Sequence, residues 1–142
     1  MATFKKVLIP FDGSECSRHA AKKGIAIAKD EGADIVGIKV IGFTGGLIAP
    51  SDNLWKVIED DLYHKADEIL DDLEMIAKEE GVTLTREVRE GSIEREVLDF
   101  AKSSSTDLIV MGATGKSGVG KYLGRTADRI LRDSSCPVMV VH

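Results

Sequence analysis

Residues 107–126 read Asp-Leu-Ile-Val-Met-Gly-Ala-Thr-Gly-Lys-Ser-Gly-Val-Gly-Lys-Tyr-Leu-Gly-Arg-Thr, and the change of character at Gly112 decides what fold can hold them. Leu108 to Met111 form an unbroken apolar run. It is too short for a helix and lacks the alternation of a half-solvated strand, so it is expected as a strand buried on both faces. Beyond it, glycine recurs at positions 112, 115, 118, 120 and 124. Glycines after a buried strand let successive backbone N–H groups turn inward on an anion such as phosphate, and Lys116 adds charge beside them. Thr126 is expected to cap a following helix carrying Ala127, Ile130 and Leu131, whose positive end then faces the loop. The competing reading is a surface loop that holds nothing. A decoy is set aside: Gly115-Lys116-Ser117 matches the end of a P-loop, but that motif needs glycine where Val110 stands and belongs after a first strand rather than a fourth.

The same order of strand, turn and helix opens the chain. Val7 to Pro10 is a short apolar run, followed by the turn residues Phe11-Asp12-Gly13 and by Ser14, an N-cap with Glu15 in the first turn. The helix carries Cys16, Ala20, Gly24, Ile25 and Ala28 inward and stops near Gly32, a left-handed C-cap. Asp12 then stands at the C-terminal end of the first strand, where doubly wound sheets bind ligands. Its carboxylate either accepts hydrogen bonds from a ligand or helps hold a metal there, or merely assists the cap; the ligand role is preferred because Gly13 and Ser14 serve turn and cap without it.

Ile35 to Ile41 is expected as the second strand, and residues 42–53, with three glycines and a proline, as a long moving loop. Leu54, Ile58, Leu62, Ile69, Leu73 and Ile76 then mark one face of a helix ending at Gly81. At about 1.5 Å per residue that helix is about 40 Å long, which predicts a bend or a late start. Its acids, Asp60, Asp61, Asp67, Glu68, Asp71 and Asp72, read as a solvated face rather than a cation site. Val82 to Val88 alternates like an edge strand. Gly91-Ser92 starts a helix with Ile93, Val97, Phe100 and Ala101 inward, and Pro137 leads into a last apolar strand, Val138 to Val141.

With 142 residues and 43% hydrophobic content, the whole of 1–142 is expected to be one domain. A net charge of −5, no one-sided Lys/Arg cluster and few aromatics argue against nucleic acid as partner. The first apolar run is too short for a signal-peptide core or a membrane span, so a cytoplasmic location away from membranes is expected. Cys16 and Cys136 lie far apart and read as small buried hydrophobes, and His19, His64 and His142 are scattered, so no metal site is visible.

Five strands alternating with four helices require a mostly parallel sheet covered on both faces, a doubly wound α/β domain. The chain resembles the universal stress protein family in Val-Leu-Ile-Pro-Phe-Asp-Gly-Ser near the start, in Glu-Gly-Ser-Ile-Glu before the third helix, in Asp-Leu-Ile-Val-Met-Gly-Ala-Thr-Gly, and in the closing Cys-Pro-Val-Met-Val-Val. The resemblance implies a Rossmann-like sheet of strand order 3-2-1-4-5. It also implies, for one branch of the family, ATP bound through glycine, two residues, glycine, nine residues, then glycine with Ser or Thr. Here Gly112 and Gly115 match, but eight residues separate Gly115 from Gly124, and Arg125 replaces the hydroxyl residue. If spacing is kept instead, Thr126 supplies the hydroxyl and Arg125 replaces the last glycine; the distance to Pro137 favours Gly124.

What the resemblance implies for the site is an adenine nucleotide, ATP or else AMP or ADP, with Mg²⁺ accompanying it. The residues carried over are Pro10, Phe11 and Asp12 at the first strand, Val40 on the second at the adenine contact, and Met111, Gly112, Gly115, Lys116, Gly124, Arg125 and Thr126. Arg125 either contacts phosphate or fills its place. No catalytic set is recognisable, so the expected role is a stress sensor or regulator rather than an enzyme. A nucleotide-free dimeric interaction module is the alternative. A phosphoacceptor role for Asp12 lacks the acidic neighbour it needs. Because Val138–Val141 is apolar on both faces yet falls at a sheet edge, a homodimer pairing this strand with its own copy is expected, as the resemblance also implies.

Overall fold

The computed structural model describes residues 3–42, 52–115 and 122–142. Lys116, Gly118, Gly120 and all but the ends of the 42–53 connection lie outside them. Among the described residues nine elements follow in order: β1 (Lys6–Pro10), α1 (Glu15–Glu31), β2 (Asp34–Ile41), α2 (Asp52–Glu79), β3 (Thr85–Glu90), α3 (Ile93–Ser103), β4 (Leu108–Gly112), α4 (Arg125–Asp133) and β5 (Val138–Val141). The strands form one parallel sheet in the order β3-β2-β1-β4-β5. This is the Rossmann-like, doubly wound arrangement the alternating pattern predicts.

Successive strand residues point to opposite faces, so each central strand feeds two cores. Val7, Ile9, Leu108 and Val110 pack with α1 and α2, through Ile25, Leu70 and Leu73. Leu8, Ile38, Ile109 and Met111 pack with α3 and α4, through Val97 and Ile130. Val7, Leu8, Ile9, Ile109 and Val110 are 0% exposed, which accounts for the absence of polar alternation in their runs. Each such side chain contributes roughly 1.5–3 kcal/mol by leaving water, so β1 and β4 are the rigid centre on which their C-terminal ends are held.

The ends of α1 follow the sequence. Ser14 accepts from the Ser17 N–H as N-cap, and Gly32 caps the C-terminus in the left-handed conformation, φ 67°. Several other expectations need correction. α2 runs unbroken from Asp52, and its buried stripe is Ala66, Leu70, Leu73, Ile76 and Ala77, whereas Leu54 and Ile58 are exposed. β3 begins at Thr85, not Val82, because its register is set by pairing with β2 from Val36↔Thr85 to Ile41↔Glu90; Val82 and Leu84 instead pack against the core from the preceding turn. Phe100 is only half-buried, and Ile93 and Leu131 are exposed. Cys16 and Cys136 are free thiols, half-buried rather than fully enclosed.

Candidate functional site

β1 is flanked by β2 on one side and β4 on the other, and the chain leaves the two central strands in opposite directions. From β1 it enters α1 on one face; from β4 it passes to α4 on the other. The exits diverge and leave a crevice at the C-terminal ends of β1 and β4, the switch point where sheets of this kind take ligands. It forms a cleft of about 450 Å³, within the range of small-molecule sites. Of the residues singled out from the sequence, Pro10, Phe11, Asp12, Val40, Met111, Gly112, Gly115, Gly124, Arg125 and Thr126 all line it. Lys116 lies outside the described residues.

The cleft has two unlike ends. One is walled by Ile38 and Val40 of β2, Ile93 and Val97 of α3, and Met111 of β4. The other gathers Asp12, Thr114, Gly115 and the start of α4. Sequence reasoning missed Ile38, Ile93, Val97 and Thr114. The period of two that pairs Ile38 with Val40 on one side of β2, and the i, i+4 spacing of Ile93 and Val97, are the signals that point to the first three. Thr114 carries no comparable signal; its hydroxyl sits 3.3 Å from the Cys16 thiol, linking the loop to α1.

The motif glycines sit where chain meets chain. A Cβ on Gly112 would lie 2.8 Å from backbone atoms of Cys16 and Ser17, so the bare Cα lets the first turn of α1 lie against the end of β4. A Cβ on Gly124 would fall 3.0 Å from the Ala113 carbonyl oxygen, to which the Gly124 N–H itself donates at 2.6 Å. A Cβ on Gly115 would fall 3.1 Å from Asp12 Oδ2. Asp12 Oδ1 accepts from the Ser14 N–H at 2.9 Å, so the turn does use this carboxylate, contrary to the argument that Gly13 and Ser14 suffice. One oxygen holds the turn while the other is turned toward the loop.

The N-cap of α4 is Gly124, not Thr126: helical geometry begins at Arg125 and Thr126 falls in the first turn. The close Gly124–Ala113 hydrogen bond fixes the start one residue after that glycine, which side-chain capping preference alone would not place there. Gly124 has no side chain to cap this terminus, so among the described residues the first-turn N–H groups of α4 and the positive end of its dipole lie in the cleft wall, with the exposed Arg125 side chain beside them. A negatively charged group is favoured there, and an apolar ring at the opposite end. In the first turn of α3 the Glu94 carboxyl is held below the usual glutamate range, first by its own backbone N–H, against the cost of partial burial, then by the Ser92 hydroxyl and the Arg125 and Arg129 guanidiniums. Among the described residues no group of three or more His, Cys, Asp or Glu side chains is placed to hold a metal.

A doubly wound parallel sheet with a partly apolar, partly polar cleft at its switch point defines the class of Rossmann-like α/β domains. Comparison with known proteins narrows the class. The profile of the universal stress protein family matches residues 3–142. Universal stress protein MJ0531 of Methanocaldococcus jannaschii is 38% identical over 139 residues, covering 97% of this chain and 82% of that protein. The chain belongs to the universal stress protein family. Among solved structures, universal stress protein UspA from Lactobacillus plantarum superposes with a TM-score of 0.84 at 24% identity over 100% of both chains. A universal stress protein in complex with cAMP gives 0.77 at 24% over 99% of each. One from Archaeoglobus fulgidus in complex with dAMP gives 0.69 at 17% over 100% of each. At these identities the structures establish likeness of fold; the ligands are theirs.

Proposed function

We propose that this chain, acting as one domain in the cytosol, binds an adenine nucleotide in the β1–β4 cleft and works as a sensor or regulator rather than as a turnover catalyst. The observation that carries the reading is the pairing of unlike ends in one cleft. The apolar wall of Ile38, Val40, Val97 and Met111 suits a flat base, and the uncapped start of α4 with Arg125 suits phosphate, while Asp12 lies between the strand ends where a ribose hydroxyl would donate. Relatives of the same fold solved with cAMP and dAMP support the adenosine part. Both ligands carry a single phosphate. ATP is the finer proposal and leans on Arg125 to replace the missing hydroxyl with a charge-assisted contact worth about 1–3 kcal/mol.

Mg²⁺ fits as a companion of the phosphates rather than as a resident ion, because among the described residues Asp12 is the one carboxylate in the cleft lining. Asp12 would hold it, and the ion would neutralise phosphate charge. Isothermal calorimetry with adenosine, AMP, ADP and ATP, with and without Mg²⁺, tests the proposal. Saturable heat with at least one nucleotide is expected. No heat and no thermal shift at millimolar nucleotide would refute it and leave the dimeric interaction module. That second reading has its own support: β5 is an edge strand with Met139 exposed and no charged residue in Val138–Val141, so a second copy pairing along this edge would cover it.

A further inference from the structure

β2 outlasts β1 at the apolar end of the cleft. The Phe11 N–H, one residue past the end of β1, donates to the Ile38 carbonyl oxygen at 2.9 Å, while β2 continues to Ile41. Backbone groups of alternate residues in a strand point to the same side, so those of Val40 face the β1 side as those of Ile38 do. Those of Ile41 face β3, where its carbonyl oxygen accepts from the Gly91 N–H at 3.0 Å. The Val40 carbonyl is therefore aimed past the last β1 contact, and Val40 lines the cleft there. That oxygen is already engaged. Lys39 Nζ donates to it at 3.2 Å, and Lys39 is itself one of the cleft-lining residues. A cation thus stands on the backbone acceptor of an otherwise apolar wall made by Ile38, Val40, Val97 and Met111.

We propose that Lys39 sets the base preference of the cleft, shifting it from a 6-aminopurine toward a 6-oxopurine by holding the Val40 carbonyl and offering an ammonium in its place. This rests on the nucleotide reading above and concerns only the edge of the base. An exocyclic amino group is a donor, and a bare carbonyl would accept from it. Here it must first displace the ammonium or be left with donor facing donor. A 6-oxo group is an acceptor and takes a hydrogen from Nζ, which carries three and has no lone pair, so the bond to Val40 can be kept. The new bond is charge-assisted and stronger than the neutral one it replaces. The apolar side chains around it raise the cost of leaving either partner unpaired, and cannot themselves tell the two purines apart. Lys39 is in this sense a specificity-determining residue.

AMP and IMP share ribose and phosphate and differ only along that edge of the base, so their affinity ratio isolates it. Calorimetry on the intact chain compares wild type, Lys39→Met and Lys39→Arg with each nucleotide. Wild type is expected to bind both. Lys39→Met keeps an apolar stem but no donor, and should move the ratio toward AMP by roughly tenfold, the scale of one charge-assisted hydrogen bond. Lys39→Arg keeps the donors and should stay nearer wild type than Lys39→Met does. Taking a ratio within one protein cancels any loss of folded material. Heat with AMP in wild type and Lys39→Met at an unmoved ratio overturns this proposal and leaves the nucleotide reading standing. A wild type that binds AMP and gives no heat with IMP overturns it as well, without any variant having to fold. No heat from wild type with either nucleotide overturns the nucleotide reading and this proposal with it.

Discussion

Replacing Gly112 by alanine adds one methyl group where β4 ends, and the structure says what it meets. The new Cβ would stand 2.8 Å from Cys16 C and Ser17 N and 2.9 Å from Cys16 Cβ. Two of these three atoms are helix backbone, which no rotamer change can move, so α1 must shift away from β4 or the strand end must bend. Overpacking of a well-filled interior costs typically 1–3 kcal/mol, and a clash with backbone belongs at the upper end, about 3 kcal/mol. For a chain of this size that lowers Tm on the order of 10 °C. Gly24→Ala is the control. Its Cβ meets Ile9 Cδ1 at 3.1 Å and Val110 Cβ at 3.2 Å, tight contacts with side chains, while alanine gains up to about 1 kcal/mol of helix propensity in α1. It should stay within about 1 kcal/mol of wild type. Urea unfolding followed by circular dichroism measures both. Gly112→Ala as stable as wild type would refute the claim that this glycine exists for the approach of α1 to β4.

Met139→Lys, placed mid-way along the β5 edge, should turn a dimer into monomers or aggregates while nucleotide affinity changes little; a wild-type chain already monomeric by light scattering at tens of micromolar would sink the edge-pairing proposal. Arg86→Ala removes the contacts from β3 to Asp71 at 2.5 Å and to the Asp67 carbonyl at 2.8 Å on α2, and should cost about 1 kcal/mol, less at high salt; a loss independent of salt would contradict the ionic account. Tyr63 is pushed up to about 12, first by the hydrogen bond its hydroxyl donates to Glu90, then by partial burial and by the charges of Glu90 and Glu59. The folded state thus favours the protonated phenol, a contribution present below the ordinary tyrosine value of about 10 and lost as pH rises through about 12. In Glu90→Gln the Tyr63 midpoint should fall back toward 10 in a spectrophotometric titration, and an unchanged midpoint would discard the Glu90 bond as its cause.

What was legible in the sequence divides along physical lines. Leu108–Met111 reads as a buried strand because coverage on both faces leaves an unbroken apolar signature, and Gly32 reads as a cap because its left-handed backbone needs glycine. The stripe of α2 was misread at its beginning, since Leu54 and Ile58 keep the right spacing but have no sheet beneath them, while the contacts that matter include Ala66 and Ala77, too small to draw notice. β3 was shifted because Val82 and Leu84 are apolar for a different reason, packing under the core from a turn. At the site, the residue types at the ends of β1 and β4 were readable, but the start of α4 depends on the Gly124–Ala113 contact between distant chain segments, and the α3 side of the cleft depends on tertiary packing that no local pattern encodes.

The length of α2 has a consequence for local opening. Its 28 residues span about 42 Å, whereas the eight residues of β2 beneath it span about 26 Å, so the helix outruns the sheet. Val57 is 64% exposed, while Leu70 and Leu73 are fully buried. Amide hydrogens of one continuous helix should therefore exchange with solvent in two populations. Those before about Tyr63 are released by fraying that disturbs little else, and those from Ala66 onward are protected until the core on that face of the sheet opens.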